Sequence, residues 1–186
     1  NNDYILFYGQ ASDSWIYDTG HYYSCLDFFH QLHLYSDTNY YFITTDLGPG
    51  KRIQQRNSLV SAPNNNTSTY DYYDFHEQNT TNFIKSGNEF YGEYFDLSTS
   101  YSFNYPIPNL VAGDTVNALV KLAARSSSGS NYSFSYSGTS VTFTAGSVII
   151  NDYLGDYVSI ATNCSKAVCN SSNSLNFNIN KISTSA

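Results

Sequence analysis

The chain has 186 residues, enough for one domain or two small ones, and a chain of this size can bury roughly 70% of its unfolded surface, so a core needs no staples. Its net charge is −7 and its eight Lys and Arg are scattered singly, which leaves no basic stripe to gather phosphates and argues against nucleic acid as a partner. Aromatic residues make up 17% of the chain, with 19 Tyr and 12 Phe on a background of Asn, Ser and Thr. Such rings favour half-buried pleated surfaces, so strands are expected.

The first apolar run, over 4–8, closes at Gly9 and reads as a strand, and a second follows over 15–18. Residues 39–45 read as a third. Tyr40, Phe42 and Thr44 fall on one face and Tyr41, Ile43 and Thr45 on the other, and bulk on both faces places a strand at the centre of a sheet. Gly48, Pro49 and Gly50 end it as a turn. The polar stretch 63–69 reads as an exposed loop or a seam between sub-structures.

One helix is expected, over 75–86. Asp74 is placed to cap it, Phe75, Asn79, Phe83 and Ile84 recur at helical spacing, and Gly87 sits where a left-handed C-terminal cap belongs. Strand patterns then arrive every 8–12 residues or so, the spacing of a sandwich or barrel. They cover 89–95, 101–105, 115–124, 131–136, 140–144, 147–150, 157–161 and 175–182. The clearest alternation sets Leu175, Phe177 and Ile179 against Asn176, Asn178 and Asn180, and Tyr132, Phe134 and Tyr136 against Ser133 and Ser135. Each pattern is one buried and one wet face.

Three cysteines are present. Cys164 and Cys169 lie between two strand-like runs, where a local turn would bring them within bridging distance, so a disulfide is expected between them; two separate loop thiols are the alternative. Cys25, beside Leu26, Phe28 and Phe29, reads as a small buried apolar side chain. His30 and His33 have the spacing of half a zinc site, and no second half accompanies them. Asp152 and Asp156 flank Gly155 in a turn that could offer oxygens to calcium, although an Asp- and Gly-rich turn is the plainer reading. No metal or cofactor is expected. Glu89 and Glu93 on one strand face would stand about 13 Å apart, too far for paired carboxylate catalysis.

Two segments carry a family resemblance. Residues 28–45 run from Phe28, Phe29 and His30 to Phe42, Ile43, Thr44 and Thr45, and residues 84–95 include Ser86, Gly87, Glu89, Tyr91, Gly92 and Glu93. Together with Asp3 to Gly9 and Trp15, they resemble the non-catalytic β-rich region preceding the peptidase domain in the gingipain-like sortase of the bacterial type IX secretion system. Asn88 stands where the family pattern has Arg. In that family the catalytic base is a His followed by Gly, whereas His21, His30, His33 and His76 precede Tyr, Gln, Leu and Glu. The resemblance therefore implies a non-enzymatic region whose catalytic partner lies downstream of Ala186. It also implies secretion to the outer-membrane surface, docking through Ser86, Gly87, Glu89, Tyr91, Gly92 and Glu93 onto the peptidase domain, and contact with cargo or other secretion components. No signal-peptide pattern is present and Met is absent throughout, as expected of a piece cut from a longer secreted polypeptide. No apolar run reaches the ~18 residues of a spanning helix, so no membrane insertion is expected.

The reading is an all-β chain, an antiparallel β-sandwich with one short helix. An N-terminal β sub-domain covers 1–62, and a sandwich domain covers 63–186 with the helix near 75–86. A rival function is a carbohydrate-binding or adhesin module, because Tyr22, Tyr23, Tyr70, Tyr72 and Tyr73 fall in hydrophilic, loop-like stretches.

Overall fold

The computed structural model describes residues 5–20, 22–33, 35–51, 53–84, 89–152, 154–170 and 173–182. It is all-β, with no helix among the described residues. The eight strands are β1 Ser14–Tyr17, β2 Phe28–Gln31, β3 Ser100–Pro106, β4 Thr115–Ala124, β5 Ser130–Tyr136, β6 Thr139–Ala145, β7 Ser159–Val168 and β8 Ser174–Ile182. β1 and β2 pair as a small antiparallel sheet, β3, β8, β5 and β6 form a four-stranded sheet in that order, and β4 pairs with β7. All pairings are antiparallel.

The β4–β7 pair packs on the four-stranded sheet by matching small side chains to large ones. Ala118 and Val120 from β4 and Ala167 from β7 meet Phe134, Tyr136 and Ile179 from the opposite sheet. A second cluster sets Ala124, Ala145 and Ala161 around Tyr132. Small alanine side chains leave room for the aromatic rings that pack beside them, the size matching on which dense interiors depend. Phe177 joins them, its ring 5.8 Å from Phe134 and 5.1 Å from Tyr136. The inward sets of β5 and β8 are those that alternation predicts. Between β5 and β6 the two connecting residues, Ser137 and Gly138, both have positive φ, 47° and 76°. That is the type I′ geometry whose twist matches paired strands.

The N-terminal half departs from expectation. Residues 39–45 form no strand, and Phe42 is 96% exposed and Tyr40 78%. A doubly bulky strand needs a covering layer on each side. Here the neighbours are Phe7, 5.6 Å from the Tyr41 ring, and Gln10, whose carbonyl accepts from the Asn39 amide and the Tyr41 hydroxyl. Residues 5–8 are exposed and not in a strand either; Tyr4 lies outside the described residues.

The helix expected over 75–86 is also absent where it can be seen. Residues 75–84 are non-helical, and Thr81 makes an isolated antiparallel bridge to Tyr91. Asn79, Thr80, Thr81 and Asn82 are weak helix formers whose polar groups compete for other partners. Thr80 Oγ1 donates to the carbonyls of Tyr91 and Gly92, and the Asn82 amide donates to Glu89. Asp74 accepts from the adjacent Phe75 N–H, not from a helical turn. Lys85, Ser86 and Gly87 lie outside the described residues. The strands expected over 89–95 and 147–150 reduce to that bridge and to Val148, buried with its N–H donating to Ser126.

The expected Cys164–Cys169 disulfide is replaced by one between Cys25 and Cys164, whose Cα atoms are 5.6 Å apart. Sequence reading ended the strand at 161, but β7 runs to Val168. Five steps of extended chain separate Cys164 from Cys169 by about 16 Å, and an odd step puts them on opposite faces. Cys169 instead fills the core beside Ile107 and Leu175, with 1% of its surface exposed.

Candidate functional site

The sandwich is open along one side. β7 lies toward β6, whereas among the described residues no strand bridges β4 and β3. Along that open side runs a cleft of about 1600 Å³, walled by β4, by Phe103 and Tyr105 of β3, by residues of 68–83 and 89–95 and by the loop and second strand of the β1–β2 hairpin.

Period-two spacing builds the aromatic end of this cleft. Trp15 and Tyr17 on β1 stand opposite His30 and Phe28 on β2. Residues 71–75 lie across them, so Tyr73 packs on Phe28 at 4.8 Å and on Trp15 at 5.6 Å, and Phe75 stacks on His30 at 3.5 Å. Sequence reading missed this cluster. Its signal was three pairs of rings two residues apart, which only a shared face would bring together.

The hairpin loop is held by Asp18, 6% exposed, whose two carboxylate oxygens accept from the N–H groups of Tyr22 and Tyr23 at 2.8 Å. The disulfide then fixes the loop to β7. His30 Nε2 is 2.7 Å from Asp13, and this hydrogen bond is the main reason the Asp13 carboxyl is held below its ordinary range.

Of the expected docking residues, Glu89, Tyr91, Gly92 and Glu93 line the opposite wall. Ser86 and Gly87 are outside the described residues. Glu89 is exposed and 3.5 Å from the Lys121 ammonium. Tyr91 is half-buried, and its hydroxyl donates to Glu89; desolvation, then the Glu89 charge, pushes its pKa up to about 12. Gly92 lies so close to 78 that an added Cβ would stand 3.1 Å from the Gln78 carbonyl oxygen. Glu93 pairs with His76 at 2.6 Å, and the His76 ring lies 4.4 Å from Phe103. These residues therefore hold the 76–82 segment and the cleft wall together, leaving Phe90 and Tyr94 as exposed rings between them.

Elsewhere the structure separates what the sequence grouped. His30 serves Asp13, while His33 accepts from the Tyr35 N–H. Asp152 Oδ1 accepts from the Leu154 N–H in the turn around Gly155. Among the described residues, no three His, Cys, Asp or Glu side chains converge as metal ligands. Also among them, neither His30 nor His76 has a hydroxyl or thiol hydrogen-bonded to its ring. Each is a histidine–carboxylate pair, an arrangement that orients the imidazole ring.

Compared with family models, curated proteins and solved structures, the chain matches none.

Proposed function

We propose that this chain is a non-catalytic docking β-domain of a secreted, gingipain-like cysteine peptidase that works at the bacterial outer-membrane surface in type IX secretion. The observation that carries the reading is the placement of 89–95, which holds the described part of the segment 86–93 that resembles the sortase. It forms one wall of a large open cleft and presents Phe90 and Tyr94 at its rim. Exposed rings beside an open groove are the material of an interface, and interdomain contacts bury on the order of 600–1,500 Å². A Cys25–Cys164 bond also fits an oxidising, extracytoplasmic setting. Carbohydrate binding is the second reading: Tyr22, Tyr70, Tyr72 and Tyr73 are exposed, while Trp15, Tyr73, Phe28, Phe75 and His30 engage part of their ring surfaces with one another.

The test is calorimetric titration of the chain against an isolated gingipain-like peptidase domain, with a glycan panel in parallel. Binding to the peptidase that weakens at least about tenfold in a Phe90→Ala/Tyr94→Ala variant of unchanged circular dichroism supports docking. Glycan binding lost on Trp15→Ala, without peptidase binding, overturns it.

A further inference from the structure

β4 is a ten-residue strand with a single hydrogen-bonded neighbour. Its register with β7 is unbroken from Thr115 opposite Val168 to Ala124 opposite Ser159. Among the described residues, no backbone group of another segment bonds to 115–124 on the other side; the Thr115 N–H donates to the neighbouring Asp114 carboxylate, and the Ala118 carbonyl lies 3.6 Å from Cys25 Sγ. Sheets normally blunt so long an edge with proline, a bulge, charge or a covering element. β4 contains no proline or glycine, its register has no bulge, and its one charge, Lys121, is held by Glu89.

The cleft follows this edge. Every residue of β4 lines it, and none of β6 or β7 does. Its volume, about 1600 Å³, exceeds the ~300–1,000 Å³ of small-molecule sites, so the occupant is segment-sized. A row of open N–H and C=O groups about 33 Å long selects an extended backbone. On the inner side, alternate side chains of such a segment would enter beside Val116, Val120 and Leu122, facing Phe103 and Tyr105 of β3.

Charge selects the rest. Seven carboxylates line the cleft against three cations, and the cations are engaged: Lys121 with Glu89, Arg125 with the carbonyls of Ile150 and Tyr157, and Lys181 with that of Phe95. Asp27, Asp71 and Glu77 have no cation in ion-pair contact among the described residues. Partial desolvation raises the Glu77 pKa, although the His30 and Lys121 charges oppose it, so a further cation there would be welcome.

We propose that the free edge of β4 receives an extended peptide that carries Lys or Arg at alternate positions, added as a third strand to the β4–β7 sheet. The basic side chains face the acidic wall at Glu77 and Asp71, and the intervening ones enter the open side of the sandwich. This stands on the edge and the cleft alone, whether or not a peptidase domain follows the chain.

The experiment titrates the full chain with a fluorescein-labelled ten-residue peptide, Lys-Val-Lys-Thr-Lys-Val-Lys-Thr-Lys-Val, by anisotropy. Its Glu-for-Lys counterpart and two N-methylated isomers, each blocking one backbone edge, serve as comparisons, and amide hydrogen exchange locates the contact. The expected result is that the Lys peptide binds at least about tenfold tighter than the Glu peptide. One N-methylated isomer should lose about tenfold while the other keeps its affinity, and protection should be confined to 115–124 and its neighbours. Asp71→Asn/Glu77→Gln should weaken binding about threefold or more, with unchanged circular dichroism. No binding, equal binding of the Lys and Glu peptides, equal effects of the two isomers, or protection elsewhere overturns the proposal. So does a concentration-dependent dimer that protects 115–124 without peptide, because the edge would then belong to a second copy.

Discussion

Removing the Cys25–Cys164 bond tests the way the two parts of the chain are joined. The bond closes a loop across a sequence separation of 139, for which the chain-entropy relation gives about 5 kcal/mol; native disulfides typically contribute about 2–5. At roughly 2–4 °C per kcal/mol for a chain of this length, Cys25→Ser/Cys164→Ser should lower Tm by about 5–15 °C. Cys169→Ser, which changes a packed core thiol, should be milder and should leave the bond intact. The pairing itself is readable by trypsin without reduction. No Lys or Arg precedes Lys51, and Lys166 separates Cys164 from Cys169. Peptide 1–51 should therefore be recovered linked to 126–166. A linked pair 126–166 and 167–181, together with a Tm change under about 1 °C in Cys25→Ser, would refute the arrangement.

Phe134→Ala, in the centre of the core, should cost about 3–5 kcal/mol in a urea melt. Phe42→Ala, at 96% exposure, should stay within about 0.5 kcal/mol; a large loss would place 39–45 in the core after all. Tyr91 and Tyr105 both have pKa values pushed up to about 12 by desolvation, against an ordinary 10.0. Folding favours their neutral forms, so their contribution is complete below pH 10 and is lost as pH rises toward 12. Tyrosinate absorbance should show a late step in that window, reduced in Tyr91→Phe/Tyr105→Phe; an unchanged titration would count against their burial.

The sandwich was legible where apolar and polar residues alternate cleanly, as in β5 and β8, because one face is dry and the other wet. β7 was legible only in part. Its inward positions beyond Ala161 include Asn163 and Ser165, polar residues that hide the period. Ser165 Oγ lies 3.2 Å from the Tyr136 hydroxyl, and Asn163 Oδ1 is buried without a hydrogen-bond partner. The end of the strand, and with it the disulfide, was lost for that reason. At 75–84 the spacing of Phe75, Phe83 and Ile84 suited a helix, but Thr and Asn side chains bond to 89–92 instead. Of the site, the wall containing Glu89, Tyr91, Gly92 and Glu93 was singled out from sequence, while the cleft depends on the missing strand between β3 and β4, which no local pattern encodes.

The stretch 53–70 is exposed throughout and holds no strand. It lies between Cys25 and Cys164, so a peptidase that cuts it once does not release a fragment. Both halves stay on one molecule, and the nick becomes visible on a gel only after reduction. The bond that joins the hairpin to the sandwich thus also gives this exposed connection a tolerance to cleavage.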